Sequence, residues 1–319
     1  MAESGENAIE MKDLTKIFGS FTAVDHLTCN VKKGEIFGFL GANGSGKSTT
    51  IKMLCGLLKS TSGSATVAGF DINKQADQIK RKIGYMSQRF SLYDDISVED
   101  NLQFFGGIYQ IPEHKLVERS KWAVEMAGLT GMEKLLTREL AGGWKQRLAL
   151  GCAVLHEPEI VFLDEPTGGV DPVTRRKFWD LILLLANGGT TIFVTTHYLD
   201  EAEYCNRLAL LHLGKLIAEG SPHELKEKYI TNPVLEVETD SVIHALEFVQ
   251  GAPWALDTSV FGTYLHVNVA DEKEGEQQIR SLLQSKNIGV KRIDRISPSL
   301  EDVFIHLIEE KAAQFVDNE

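Results

Sequence analysis

Nine residues, Gly41-Ala42-Asn43-Gly44-Ser45-Gly46-Lys47-Ser48-Thr49, carry the densest chemical signal in this chain. Their spacing fits GxxxxGK followed by Ser or Thr, a phosphate-binding loop. Glycines permit a tight bend and let backbone N–H groups come close to phosphate oxygens. Lys47 would set its ammonium on the outer phosphates, and Ser48 would offer its hydroxyl to Mg²⁺. An acid pair, Asp164-Glu165, follows the apolar run Ile160-Val161-Phe162-Leu163. At the end of such a strand Asp164 can reach the metal beside the phosphates, and Glu165 can polarise an attacking water. His197 ends a further apolar run, where a neutral imidazole can hold the phosphate and the water. Leu140-Ala141-Gly142-Gly143-Trp144-Lys145-Gln146-Arg147 opens a helix, and its glycine pair leaves N–H groups and a positive dipole end for a second phosphate contact. Plainer readings stand beside these: a glycine-rich turn that binds nothing, a solvated acid pair, a structural histidine and a flexible helix start.

The elements needed to position these residues are visible in the hydrophobic pattern. Glu35 to Leu40 reads as a buried strand entering the loop. Ile51, Leu54, Cys55 and Leu58 fall on one helical face leaving it. Residues 8–70 read as short strands and turns, and Lys82 to Gln88 as a strand. Val98 to Tyr109 and Leu116 to Ala127 have helical spacing, with Pro112 breaking between them. From Glu159 strand and helix alternate again: strand Ile160–Leu163, helix Val173–Ala186, strand Thr190–Thr196, helix Leu199–Cys205, strand Arg207–Leu213. The pattern predicts an α/β fold, a doubly wound sheet with a helical insertion at about residues 90–155. After Pro233 the strands become weak and alternating, with helices near Val242–Val249 and Glu274–Gln284 and a last one after Pro298. The predicted domains are 1–230 and a small α/β domain at 231–319.

Composition narrows the class. The chain has 319 residues, a formal net charge of −12 and 24% charged residues. That balance argues against non-specific nucleic-acid binding, which needs a basic face. The four cysteines, Cys29, Cys55, Cys152 and Cys205, form no CxxC pair and read as buried thiols in a reducing compartment. No apolar run approaches the ~20 residues that span a bilayer; the longest candidate, Leu181 to Ala186, reads as buried helix core. The start is polar and acidic, unlike a secretory signal. A soluble protein is expected, with any membrane role exercised through a partner. Arg175-Arg176-Lys177 reads as a solvated helix face.

Taken together, the motifs resemble those of the ATP-binding subunit of an ABC transporter over residues 8–230. Gly41–Thr49 resembles Walker A, Ile160–Glu165 Walker B with its catalytic glutamate, and Leu140–Arg147 the signature. Gln88 falls where the Q-loop glutamine belongs, a residue on both the metal and the water. Gly168-Gly169-Val170-Asp171 resembles the D-loop, and His197 the switch histidine. Phe18 matches the aromatic that stacks on adenine; it also reads as simple packing. The resemblance implies ATP and Mg²⁺ as ligands. Glu165, His197 and Gln88 would act catalytically. Phe18, Gly41, Asn43, Gly44, Ser45, Gly46, Lys47, Ser48, Thr49, Ala141, Gly142, Gly143 and Asp171 would bind nucleotide, and Ser48, Gln88 and Asp164 the metal. It implies a head-to-tail dimer of ATPase domains, each ATP lying between one phosphate loop and the other's signature. It also implies transmembrane permease partners contacting Gln88 and the helical insertion, a site on the cytoplasmic face of the membrane, and no nucleic acid. Ser297–Phe304 resembles the end of the C-terminal extension of ABC-2 export ATPases, which implies export. The competing class is a soluble ABC ATPase working on ribosomes or nucleic acid.

Two departures stand out. The usual signature is LSGGQ, whereas here Ala141 replaces the serine and Trp144 the glutamine. Gly168 stands where the D-loop serine is usual. Loss of the serine removes a helix cap and a donor to the γ-phosphate. Weakened closure follows, either in a homodimer with two slower ATP sites or in a pair with a different ATPase chain that supplies the serine.

Overall fold

The structure, a computed structural model, describes residues 6–88 and 91–316. The chain divides into two compact units, Met1–Ser221 and Pro222–Glu319. The helix Pro222–Tyr229 thus groups with the second unit, which begins at residue 222 and not at the expected 231.

The centre of the first unit is a six-stranded sheet. Its order is Ile83–Met86, Ile160–Asp164, Thr191–Thr196, Ile36–Gly41, Arg207–His212 and Lys215–Gly220. The first five are parallel to their neighbours and the edge strand is antiparallel. Three of them, Ile36–Gly41, Ile160–Asp164 and Thr191–Thr196, are buried at every residue. That is why they read as continuous apolar runs, as strands covered on both faces do. Phe193 sits among Phe37, Phe39 and Phe162, with ring centroids 5.2–5.6 Å away. Registers such as Leu40 with Thr196 and Asp164 with Thr195 bring the carboxyl ends of these strands to one edge. Ligands of open α/β sheets bind at that edge.

A separate antiparallel sheet lies in the same unit, in the order Phe21–Lys32, Asn7–Phe18, Ser62–Val67 and Phe70–Asp71. The pattern over residues 8–70 predicts short strands within one wound sheet. Instead the first two are 12 residues each, bulged where the burial alternation slips. Between the sheet strands, the helices Val98–Ile108, Glu113–Ala127 and Gly142–Val154 pack around Leu102, Leu116, Val124, Leu148 and Leu155. Ser97 caps the first with a reciprocal bond to Asp100.

Three local expectations change. Leu184 is 54% exposed, so Leu181–Ala186 is half of an amphipathic helix, Pro172–Asn187, and not a buried core segment. The helix after His197 is only Leu199–Ala202. Arg175 is not solvated: it packs against Tyr198, Asp200 and Glu201.

The second unit is built on an antiparallel sheet ordered Ala255–Phe261, Tyr264–Val269, Val234–Thr239 and Val290–Ile296. With the helices Val242–Val249 and Glu272–Ser285 it forms a β-α-β-β-α-β split unit around Leu235, Val237, Val267, Ile279 and Leu283. The strand Ala255–Phe261 escaped sequence reading because Asp257-Thr258-Ser259 interrupts its apolar alternation. Buried His266 stacks on Phe261 and meets Asp302, at 3.0 Å, on the last helix, Leu300–Val316. Among the described residues no helix is long and apolar enough to cross a membrane.

Candidate functional site

The strand Ile36–Gly41 runs into the glycine loop, and the helix Lys47–Leu54 leaves it. Gly44 and Gly46 have φ of +84° and +101°, a backbone region that side chains resist. A Cβ at Gly46 would stand 2.4 Å from the Ala23 carbonyl oxygen, so the loop is also clamped from behind. Lys47 is 4% exposed and turns back over the loop, donating to the Gly41 and Ala42 carbonyls at 2.8 and 3.2 Å. Thr50 bonds the Gly46 carbonyl, while Asn43 stays exposed, Thr49 half-buried and Ser45 buried.

The acid pair completes this edge. Asp164 Oδ1 accepts from Ser48 Oγ at 2.9 Å and from Thr195 Oγ1 at 2.8 Å. Glu165 adopts φ +48°, a strained turn secured by its N–H donating to the Thr195 backbone and side-chain oxygens. The turn aims its carboxylate across the strand ends. There Oε1 lies 3.3 Å from Lys47 Nζ, and Oε2 accepts from Gln88 Nε2 at 3.0 Å with His197 Nδ1 at 3.4 Å. The glutamate side chain is only 8% exposed, so these partners act in a poorly screened setting. Four adjacent strands therefore deliver Lys47, Ser48, Asp164, Glu165, Gln88 and His197 to one place. Thr195, which holds both acids, is not marked in the sequence beyond lying two residues before His197.

The other candidates lie elsewhere. Phe18 is 47% exposed at a hairpin turn, paired with Phe21, which is 61% exposed. Lys16 Nζ lies 5.0 Å from the Phe18 ring centroid, so the ring is a surface platform and not core packing. Ala141 is the N-cap of Gly142–Val154, in extended backbone geometry (φ −64°, ψ 155°) with no side-chain cap. Ala141, Gly142 and Gly143 line a groove of about 420 Å³ with Val170, Asp171 and Lys177. Asp171 caps the helix Pro172–Asn187 by accepting from the Val173 and Thr174 N–H groups at 3.0 Å. The bonds from Thr174 hold its carboxyl below the usual range. Trp144 packs half-buried in the helical cluster, its ring 4.9 Å from the Arg147 guanidinium.

Known proteins resemble this chain in sequence and fold. Residues 24–168 match the family described as ABC transporter, and residues 220–308 match "ATP-binding protein DrrA1-3-like, C-terminal domain". The chain is 50% identical over 244 residues to the probable multidrug ABC transporter ATP-binding protein YbhF of Escherichia coli, covering 75% of this chain and 42% of YbhF. It thus spans about two fifths of that relative's length. It is 35% identical over 300 residues to the Nod factor export ATP-binding protein I of Cupriavidus metallidurans, covering 94% of this chain and 96% of that one. An ATP-binding cassette solved as a dimer in a post-hydrolysis state with ADP and Pi superposes with a TM-score of 0.61 at 27% identity, over 67% of this chain and 98% of that one. With the phosphate loop, the acid pair and the histidine at one sheet edge, and with a relative of matching length, the chain belongs to the ATP-binding proteins of ABC transporters.

Proposed function

We propose that this chain binds and hydrolyses ATP to power an ABC exporter. The observation that carries the reading is Glu165, a nearly buried carboxylate held between Lys47, Gln88 and His197 beside the Ser48–Asp164 pair. The loop N–H groups and the start of the Lys47–Leu54 helix suit the phosphates, with Lys47 neutralising their charge. Ser48 and Asp164 offer hard oxygen donors in contact with each other, a set that fits Mg²⁺, with Gln88 close by. Among the described residues no cluster of three or more His, Cys, Asp or Glu side chains could hold a metal alone. When bound, Mg²⁺ supplies positive charge to the phosphates. Glu165 takes the proton of the attacking water, Gln88 and His197 hold the carboxylate and the water in line, and Phe18 stacks on the base.

Ala141, Gly142, Gly143 and Asp171 serve the nucleotide held by a second ATPase domain, in a homodimer or with a different chain. Permease subunits hold the assembly at the cytoplasmic face of a membrane and carry the substrate path. Relatives named for multidrug and Nod factor export support export, and leave the ribosome or nucleic-acid alternative without support.

The test is ATP turnover of the chain with Mg²⁺, measured against its own concentration. Turnover per chain should rise with concentration. Glu165→Gln should lower it at least ~100-fold while nucleotide binding persists, because Lys47 keeps its two carbonyl partners. Equal turnover in wild type and Glu165→Gln would overturn the reading.

A further inference from the structure

Glu201 has no part in the chemistry above, yet it is among the most deeply buried acids of the chain, at 1% exposure. A buried carboxylate is costly unless its oxygens are occupied. Both are, and by different segments. Oε1 accepts from Thr167 Oγ1 at 2.5 Å and lies 3.3 Å from Arg175 Nε. Oε2 accepts from Thr196 Oγ1 at 2.8 Å. Thr167 follows Glu165 by two residues, Thr196 directly precedes His197, and Arg175 stands on the helix that Asp171 caps.

The connection to His197 is tighter than one bond. Thr196 Oγ1 also accepts from the Tyr198 N–H at 3.0 Å, so both chain neighbours of the histidine are pinned. The Tyr198 ring lies 4.1 Å from the His197 ring, and the Arg175 guanidinium sits 3.8 Å from the centre of the Tyr198 ring. Arg175 is further paired with Asp200, at 3.4 Å. Burial raises the Glu201 carboxyl above its ordinary range, against the pull of Thr167, Thr196 and Arg175. Glu201→Gln keeps the side-chain shape and one accepting oxygen but removes the charge that faces Arg175, so the unfolding midpoint is read beside turnover.

We infer that Glu201 is a positioning residue: with Arg175 and Tyr198 it locks the Glu165 turn, the Asp171-capped helix and His197 into one register. A displacement of that helix is thereby passed to the histidine. Groove residues Asp171, its N-cap, and Lys177 belong to that helix, so the second ATPase domain with its nucleotide acts on His197 through this lock when it docks there. The inference rests on the ATPase reading above and adds the residue that couples its parts.

The experiment uses the full chain as Glu201→Gln, Arg175→Met, the double variant and, as a second probe of the same carboxylate, Thr167→Val. Turnover, the KM for ATP and the unfolding midpoint are measured for each. Glu201→Gln should lower kcat about 10- to 100-fold, the scale of a reacting group misplaced by about 1 Å, with KM changed less than about threefold. The double variant should fall no further than the worse single one, because both remove one device. In parallel, isotopically labelled histidine reports the His197 ring signal, assigned with His197→Gln; it should move in Glu201→Gln and in Thr167→Val. That readout needs no turnover, so an inactive wild type with a shifted ring signal faults the ATPase reading alone. An unmoved ring signal, kcat within twofold of wild type, or losses that multiply in the double variant would overturn the coupling.

Discussion

Ala141→Ser tests how much the departed signature costs. Residue 141 already has the extended backbone of an N-cap, and the Trp144 and Lys145 N–H groups donate to its carbonyl at 2.9 and 3.1 Å. A serine hydroxyl would need no backbone shift to accept from the N–H groups of the first turn. The helix has no acidic residue in that turn and no side-chain cap to compete. The gain should be typical of a cap, about 1 kcal/mol within a range of about 0.5–2. For a unit of this size that raises the unfolding midpoint by about 2–4 °C. The same hydroxyl would donate to a γ-phosphate presented by a second domain, worth about 1.5–3 kcal/mol, or about 10- to 150-fold in nucleotide-dependent dimer affinity. Calorimetry of the free chain reads the first effect, and turnover against concentration reads the second. An unchanged midpoint would refute the uncapped-helix argument. Turnover within twofold of wild type at every concentration would refute the idea of a weakened signature.

Three further outcomes are expected. Gly46→Ala should lower stability by about 1–3 kcal/mol through its φ of +101° alone. It should also abolish binding of a fluorescent ATP analogue, because the Ala23 carbonyl leaves no space for the methyl group. Asn101→Ala should cost about 2–4 kcal/mol in urea unfolding. Its buried amide donates to the Tyr93 and Ser97 carbonyls and to Thr137 Oγ1, and its oxygen accepts from the Tyr93 N–H. His156 is pushed down to about 4, chiefly by burial, although its Nε2 contacts the Ile83 carbonyl. The unfolded chain then takes up a proton the folded one refuses, so stability is full above pH about 6.5 and falls as pH drops toward about 4. The loss should reach up to about 3 kcal/mol in that window and should vanish in His156→Gln; an unchanged pH slope in that variant would contradict it.

Much of the site was legible because its signals are local. A glycine loop, an acid pair after an apolar run and a histidine after another each announce a strand end, and a parallel sheet must bring strand ends together. What stayed hidden depends on contacts distant in sequence. Thr195 looks like an ordinary strand residue until its partner, Asp164, is known. Arg175 looked like one of three solvated cations because Tyr198 and Glu201 reach it only through the fold. The antiparallel first sheet was concealed by its bulges, which break the two-residue period. Leu184 misled in the opposite way: an apolar run fills a helix turn completely, but only one side of that turn faces inward.

The four cysteines make the chain its own opening gauge. All four are buried: Cys29 in the antiparallel sheet and Cys55 at the end of the Lys47–Leu54 helix share one hydrophobic cluster, Cys152 lies late in the glycine-pair helix and Cys205 beyond His197. Burial pushes all four thiols up, Cys29 to about 12, so none is a ready nucleophile in the native fold. A thiol reagent therefore reacts only as fast as each layer breathes. Labelling followed residue by residue ranks those layers by local stability without any introduced probe. The second unit carries no cysteine, so its own opening leaves the count untouched.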